Sequence, residues 1–349
     1  MPRPYGLGIQ VIEIAARDAA PWASCLIALG FRRSAQISSR TRGSGSIFER
    51  GAVRILISEV PAADSRTPAA EHISRHGSGV ALVTLRVPDV LRAWTRATGA
   101  GAEALSGQRR IVTNDGLAMV EDALLGVAGV NYLLFASPGQ RLGFCREVTI
   151  DHIVLAVDGA DLGGAARLHS RAFGLEFLAA RKIQAENETL RSVILGGDGW
   201  GLVIAAQEPP GSAGLVSAFL HANSGPGIRH VAFRVPDIVA AVSAAAAHGA
   251  EFLPIPDAHY DSVSRRLGYQ PASLDELRRD RIAMGQDGDG GMVYQATTGP
   301  VSPESQVTFG LVQRSAGPLE PSDEAAAAIV AAQAARGVAA RTDSGGEES

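Results

Sequence analysis

A repeated pattern constrains the fold of this 349-residue chain more than any other feature. The stretch "SGVALVTLRVPDVLRAWTRATGAGAEAL" (78–105) resembles "PGIRHVAFRVPDIVAAVSAAAAHGAEFL" (226–253) along its whole length. The offset is constant, since aligned positions such as Pro88 and Pro236 are 148 residues apart. Repetition at a fixed offset indicates a fold assembled from copies of one unit.

Each copy predicts a strand, a helix and a further strand. An apolar run of strand type precedes Val-Pro-Asp, and an alanine-rich segment then leads to Gly-Ala-Glu. Asp89 and Asp237 stand where a helix N-cap belongs, and Gly101 and Gly249 stand where a helix C-terminal glycine belongs.

An earlier pair of stretches has the same theme. "GIQVIEIAARDAAPWASCLIALGF", which begins at Gly8, resembles "TIDHIVLAVDGADLGGAARLHSRAFGL", which begins at Thr149. The chain therefore contains four units, two in each half. The Pro/Gly-containing stretch 137–147 has the composition of a linker between the halves.

These observations predict an α+β fold with two domains of paired units. We assign residues 1–140 to a first domain without metal ligands and residues 141–318 to a second domain that carries the site. The segment 319–349 is predicted as a helix, capped by Ser322 or Asp323, followed by a disordered tail.

Composition narrows the classes of function. Hydrophobic content of 46% and charged content of 19% are typical of a globular protein, and the net charge of -4 gives no basic surface for nucleic acid. The two cysteines, Cys25 and Cys145, form no metal or disulfide motif. No apolar run is long enough to span a membrane. We therefore expect a cytoplasmic protein whose partner is a small molecule, neither nucleic acid nor membrane, with self-association as a homo-oligomer left open.

Two histidines distinguish the second half from the first. Alignment of the repeats places His152 opposite Val11 and His230 opposite Leu82. Strand alternation predicts that His152 shares a face with Ile150 and Val154, and that His230 shares a face with Ile228 and Ala232.

The equivalent positions of these two histidines favour a metal site. A single histidine on an apolar strand face is more often a hydrogen-bonded core residue, and we expect that role for His72, His76, His169, His221, His248 and His259. Repeat symmetry brings equivalent positions together, however, and two neutral imidazoles that face one point can bind a divalent metal.

The segments "ERGAVRILIS", "RHGSGVALVTLRVPD", "IDHIVLAV", "GPGIRHVAFRVPDI", "GAEFLPIPDAHYDSV" and "GMVYQATTGP" occur in an informative order. Through them the chain, from about Gly8 to about Arg314, resembles the vicinal oxygen chelate superfamily, and within it the 4-hydroxyphenylpyruvate dioxygenases and hydroxymandelate synthases. The resemblance implies two domains of paired βαβββ units of glyoxalase/extradiol dioxygenase type, with an open barrel in the C-terminal half.

The same resemblance implies an iron(II) site held by two histidines and a glutamate. His152 and His230 match the two histidines. A 2-oxo acid and dioxygen would occupy the remaining positions on the metal. The resemblance also implies substrate-binding positions, which are Ser192, Gln207, Gln295, Thr297 and Thr308 in this sequence. Thr297 and Thr308 stand where the family prefers aromatic residues.

The third ligand of that family is missing here. The last strand of the family reads like "FFEIIQR", and the corresponding "TFGLVQR" has Gly310 in place of the glutamate. Glycine at this point either records the loss of the metal site or opens a coordination position for water, halide or a substrate carboxylate. On this alignment a Gly310→Glu variant is expected to gain affinity for iron(II).

Two hypotheses of function remain open on the sequence. In the first, the protein is a divergent non-haem oxygenase that uses iron(II) or another divalent metal on a 2-oxo acid or a similar oxygen-chelating molecule. In the second, it is a non-catalytic or metal-independent protein that binds a small molecule. Metal-independent acid–base chemistry is a weaker third hypothesis, because no carboxylate–histidine spacing in the sequence promotes it. Metal content distinguishes the first two.

Overall fold

The computed structural model of the chain describes residues 8–39, 43–60, 67–107, 109–112, 119–136, 148–185, 188–197, 199–210, 212–268, 274–302, 304–315 and 322–344. In the first half the strands are β1 Gly8–Ala16, β2 Arg32–Ser39, β3 Gly43–Arg50, β4 Val53–Glu59, β5 Gly79–Arg86, β6 Glu103–Ala104, β7 Arg109–Val112, β8 Met119–Val127 and β9 Val130–Ala136. In the second half they are β10 Thr149–Ala156, β11 Glu176–Ala185, β12 Glu188–Gly196, β13 Gly201–Gln207, β14 Gly227–Arg234, β15 Ala283–Gln286, β16 Met292–Thr297 and β17 Thr308–Arg314. The helices are α1 Ala20–Ala28, α2 Pro68–His76, α3 Val90–Gly99, α4 Leu162–Phe173, α5 Leu215–Ala222, α6 Ile238–Ala247, α7 Asp257–Leu267, α8 Leu274–Arg279 and α9 Asp323–Ser344.

The strands form two mixed sheets of the same layout. The first has the order β2-β3-β4-β1-β5-β9-β8-β6, with β7 beside β8, and the second has the order β11-β12-β13-β10-β14-β17-β16-β15. In each sheet the two units join at the centre through an antiparallel pair, β1 with β5 and β10 with β14. The predicted α+β architecture of paired units is confirmed. The predicted linker at 137–147 lies outside the described residues.

The repeat predicted from the sequence is visible in individual elements. Strands β5 and β14 begin at residues 148 positions apart, and so do helices α3 and α6. The side chains of Asp89 and Asp237 cap these helices by accepting hydrogen bonds from the third residue beyond each of them. Gly101 and Gly249 follow the helix ends with φ of +106° and +89°, a left-handed backbone that favours glycine.

The two sheets share one hydrophobic core. Trp22 of α1 is fully buried, and its ring lies 6.3 Å from the ring of Phe309 on β17. Phe31 packs edge-on against Phe233 of β14 at 5.0 Å. These contacts join the first half of the chain to the outer face of the second sheet.

Helix α9 closes the opening of the second sheet. It packs against β11 and β15, which are the two edge strands, so the sheet curls until both edges reach one helix. Ser322 caps α9, because its hydroxyl accepts from Ala325 N and its carbonyl from Ala326 N. The helix continues to Ser344, into the stretch expected as tail, while residues 345–349 lie outside the described part.

No helix in the described part of the chain is long and apolar enough to cross a membrane.

One β-bulge changes which face of the sheet the side chains at the start of β10 occupy. Ile150 pairs with Phe233 and His152 pairs with Ala232, so Asp151 is an inserted residue without a direct partner. A bulge shifts the alternation of side chains by one position. Ile150 therefore lies on the outer face with Phe233, and the expectation that it shares a face with His152 is wrong. Asp151 and His152 both lie on the opposite face, which we call the inner face.

A second bulge does the same on β14. Leu155 pairs with Ile228 and Val154 pairs with His230, which leaves Arg229 as the inserted residue. Ile228 thus faces outward with Leu155, contrary to the expectation from strict alternation. Arg229 joins His230 on the side of the inner face.

The shared core generates a test of how the two halves are coupled. We expect Trp22→Ala to lower the free energy of unfolding by about 3–5 kcal/mol, because it leaves a cavity between α1 and the outer face of the second sheet. Urea denaturation measures this loss. Ile27→Ala in the same helix is the control, since Ile27 is 49% exposed. Equal losses in the two variants would contradict a core shared through Trp22.

Candidate metal and ligand site

The structure brings His152 and His230 together on the inner face. Their ring centroids lie 5.6 Å apart, and both side chains are buried. Each ring is held through Nδ1, which lies 2.8 Å from Asp151 Oδ1 in His152 and 2.7 Å from Thr308 Oγ1 in His230. Because both Nδ1 atoms are engaged, the Nε2 atoms are the ones left to bind a ligand.

Asp151 anchors His152 through a buried ionic cluster. Its carboxylate is fully buried and accepts hydrogen bonds from Arg234 Nε at 2.9 Å and from Arg314 Nε and Nη2 at 2.9 and 2.8 Å. Burial by itself would raise the pKa of Asp151, but the hydrogen bonds from His152 and Arg314 and the charge of Arg314 hold that pKa well below its usual value. An ionised Asp151 fixes the orientation of the His152 ring.

His230 carries an unsatisfied nitrogen. Its Nε2 atom is buried and has no hydrogen-bond partner in the described structure. Burial lowers the pKa of His230 well below its usual value, and the neighbouring His152 and Arg229 lower it further, while the contact with Thr308 acts in the opposite direction. The ring is therefore neutral near pH 7, with the lone pair of Nε2 available to a ligand.

Gly310 lies directly against His230. A Cβ atom at position 310 would lie 2.9 Å from both Cε1 and Nε2 of His230, so the imidazole occupies the space into which a side chain would extend. Any residue other than glycine would displace the ring. The gain in iron(II) affinity expected for Gly310→Glu thus requires His230 to turn away from Thr308 first.

Three of the predicted substrate-binding residues lie beside this pair. Thr308 pairs with His230 along the strands, Thr297 pairs with Gly310, and Gln295 pairs with Val312 two residues further on. Thr297 and Thr308 are buried and Gln295 is half-buried. The Thr297 hydroxyl is buried without a hydrogen-bond partner in the described structure.

Ser192 and Gln207 lie further from the histidines. Gly201 on β13 pairs with His152, and Gln207 comes six residues later, about 20 Å along the strand. The Gln207 amide donates to Thr189 O at 3.1 Å and lines a separate cavity of about 220 Å³. Ser192 is buried and pairs with Ala205, which lies on β13 between Gly201 and Gln207. Their role in substrate binding stays a prediction.

Asp151 and Arg229 are the residues of the site that sequence reasoning missed. Strict alternation assigned both to the outer face, and only the two bulges bring them to the inner face. The sequence does contain a signal for them: in the second half a charged residue directly precedes each histidine, as "DH" and "RH". The aligned residues of the first half, Gln10 and Ala81, are uncharged.

The donor set fits a divalent metal in part. The two imidazole rings lie 5.6 Å apart, and a carboxylate holds His152 through its Nδ1 atom, as is common for metal-binding histidines. Among the described residues, however, no group of three His, Cys, Asp or Glu side chains is arranged to hold a metal ion. A metal at this pair would need oxygen ligands that the described side chains do not supply.

The geometry agrees with what the chain resembles. Residues 151–267 match the Glyoxalase/Bleomycin resistance protein/Dioxygenase superfamily. A triple mutant of 4-hydroxymandelate synthase from Streptomyces coelicolor superposes with a TM-score of 0.82 at 22% identity, covering 94% of this chain and 98% of that one. The family match and the superposition confirm the resemblance and the fold.

Relatives in sequence include proteins of two different names. A 4-hydroxyphenylpyruvate dioxygenase of Neurospora crassa is 25% identical over 70% of this chain and 66% of its own length. A protein of the same name from Legionella pneumophila is 23% identical over 89% of both chains. A 3-dehydroshikimate dehydratase of Pseudomonas aeruginosa is 26% identical over 90% of this chain but only 50% of its own length. The chain thus spans about two thirds of the first of these relatives and half of the last.

The contact between Gly310 and His230 yields a test of the site's packing. We expect Gly310→Ala to lower the free energy of unfolding by about 1–3 kcal/mol, because the added methyl group displaces a buried ring and its bond to Thr308. Urea denaturation provides the measurement. Gly164→Ala in α4 is the control, since a Cβ there meets nothing within 4 Å, and it should be neutral or stabilising by about 0.5–1 kcal/mol. Similar effects of the two substitutions would show that His230 does not pack on Gly310.

Proposed function

We propose that this protein holds a divalent metal, iron(II) in the first instance, between His152 and His230. In this proposal a 2-oxo acid or a similar oxygen-chelating small molecule binds with the metal and supplies the oxygen ligands that the chain lacks. The observation that carries the proposal is that the two rings lie 5.6 Å apart with each Nδ1 atom already engaged, while His230 Nε2 is buried and unsatisfied. An unsatisfied buried nitrogen is costly, and a ligand there offsets the cost.

Gly310 determines how such a metal would be coordinated. Two neutral imidazoles leave the charge of a divalent cation uncompensated, because the carboxylate of the usual two-histidine, one-carboxylate set is absent. A chelating acid brings both the negative charge and the missing oxygens. Metal and acid should therefore bind cooperatively, each raising the affinity for the other by the same factor.

The chain's own residues would position the two ligands. Asp151 keeps the His152 ring in one orientation, and Thr308 does the same for His230. Gln295 and Thr297 lie on the neighbouring strand of the inner face, within the region where the acid would sit. When bound, the metal would supply the Lewis-acid and redox chemistry of a dioxygenase-like reaction on the acid.

A second candidate function is metal-independent binding of a small anion on the same face. The placement of Arg229 favours it, since a guanidinium near His230 opposes the approach of a cation and attracts an anion. The relatives named dioxygenases support the first candidate, whereas the missing carboxylate supports the second. The two differ in whether metal binds at all.

Equilibrium dialysis with iron(II) under anaerobic conditions, with and without pyruvate, tests the proposal. We expect one iron per chain in the presence of the acid and at least tenfold weaker iron binding without it, because the acid completes the coordination. His152→Ala and His230→Ala should each abolish stoichiometric iron.

His248→Ala is the control, because His248 is exposed at the end of α6 and bonds to the carbonyl of Ala244. It should leave iron binding unchanged. Full iron content in either of the other variants would overturn the proposed ligand pair, and acid binding without any iron would select the second candidate.

A further inference from the structure

Helix α2 carries two histidines that the proposed function does not use. His72 and His76 are four residues apart in this helix, so their side chains lie on one face of it. Their ring centroids are 5.0 Å apart. Two imidazoles that bind one zinc ion at about 2.0–2.1 Å, with a near-tetrahedral angle at the metal, also have ring centres about 5 Å apart. The pair thus has the separation that a shared metal requires.

His72 lacks the hydrogen bonds of a core histidine. His169 has both: its Nδ1 lies 2.9 Å from Ala165 O and its Nε2 lies 3.1 Å from Tyr132 Oη. In contrast, His72 Nε2 is buried and has no hydrogen-bond partner among the described residues. A buried nitrogen without a partner is costly, and a ligand there offsets the cost. The expected role as a hydrogen-bonded core residue therefore fits His169 but not His72.

His76 is held in the tautomer that a metal ligand needs. Its Nδ1 lies 2.8 Å from the backbone oxygen of Asn223, between α5 and β14. Because a carbonyl oxygen only accepts, Nδ1 carries the proton in this contact, and the lone pair of the neutral ring is on Nε2. Metal-binding histidines commonly donate their other ring N–H to a backbone carbonyl in this way.

The side chain of Asn223 supplies an oxygen beside His72. Its amide nitrogen donates to the carbonyls of Gly225 and Pro226, both at 3.0 Å, which fixes the orientation of the amide. A Cβ atom at Gly79 would lie 3.6 Å from His72 Nε2 and 3.9 Å from Asn223 Oδ1. Both atoms therefore border the space that this glycine leaves open.

The surroundings of the pair indicate the class of metal. Glu304 Oε1 accepts from the hydroxyl of Ser78 at 2.9 Å. Arg17 Nη2 lies 3.5 Å from Ile73 O, so a charge of each sign is present nearby. Among the described residues, no third His, Cys, Asp or Glu completes the pair. Calcium and magnesium require several oxygen ligands, whereas zinc suits imidazole nitrogens, so the donor set favours zinc.

We propose that His72 and His76 bind a zinc ion through their Nε2 atoms, with Asn223 Oδ1 and water as the further ligands. Helix α2 belongs to the first half of the chain and Asn223 to the second, so the ion joins the two halves just before β14. The site uses none of the residues of the proposed function and does not depend on it. A metal that binds only the folded chain also stabilises that chain.

Calorimetric titration of the full chain with zinc tests the proposal. The background variant is His152→Ala, which leaves the other histidine pair with a single imidazole. We expect one zinc per chain in this background. Adding His72→Gln or His76→Gln should weaken zinc binding by at least about tenfold, because each change removes one of the two nitrogen ligands. Glutamine keeps a polar side chain at either position, and circular dichroism reports the fold.

Two further substitutions in the same background complete the set. His248→Gln is the matched control, because His248 is exposed and bonds to the carbonyl of Ala244 in its own helix. It should leave the zinc affinity unchanged. Asn223→Ala removes the proposed oxygen ligand and should weaken zinc binding. Unchanged affinity in the folded Asn223→Ala variant would overturn the link between the two halves.

Thermal unfolding provides a second measurement. Saturating zinc should raise the unfolding temperature of the His152→Ala chain and should not raise it once His72→Gln is added. Absence of zinc binding in His152→Ala would overturn the proposal, and so would binding that survives both His72→Gln and His76→Gln. Loss of zinc with only one of these two changes would contradict a shared site.

Discussion

The antiparallel pairing of β10 with β14 is the constraint on which the site depends. It joins the two units of the C-terminal half and contains both bulges. Each bulge turns a charged residue and the following histidine to the same side of the sheet, Asp151 with His152 and Arg229 with His230. Without the bulges, the histidines would have only apolar neighbours along their strands, and neither the anchoring carboxylate nor the additional guanidinium would reach them.

The first sheet has bulges at the equivalent places but different residues. Its central pair shifts register between Ile9 and Val11 and between Glu13 and Ile14. The same backbone therefore exists twice, and the second copy alone carries histidines at these positions. The site is a property of side chains placed on a repeated scaffold, and the scaffold does not by itself define a function.

Gly310 supplies no carboxylate to the inner face. A metal bound there would meet two neutral nitrogens, and the nearby Arg229 would oppose it. In the proposed function, both effects would favour an anionic ligand beside the metal, whereas in a two-histidine, one-carboxylate ligand set the protein provides that charge itself. Gly310 also accommodates the His230 ring, so this ring and the glycine fit each other sterically.

Much of this arrangement could be predicted from the sequence, because the repeat offset and the Val-Pro-Asp caps are local signals. Asp89 and Asp237 cap their helices as predicted, and His152 and His230 meet as repeat symmetry required. The prediction that Ile150 and Ile228 share a sheet face with the histidines is wrong. A β-bulge depends on how a strand pairs with its neighbour, which the sequence of one strand does not show. The position of α9 over the inner face was equally inaccessible, since it depends on contacts between distant segments.

The most direct test of the account is an anomalous difference map from crystals grown with manganese(II) and 2-oxoglutarate. We predict a peak about 2.0–2.2 Å from Nε2 of both His152 and His230, a distance typical of imidazole ligands. The remaining ligands should be oxygens of the acid or water. No peak at the histidine pair, or a peak completed by a carboxylate side chain of the protein, would contradict it.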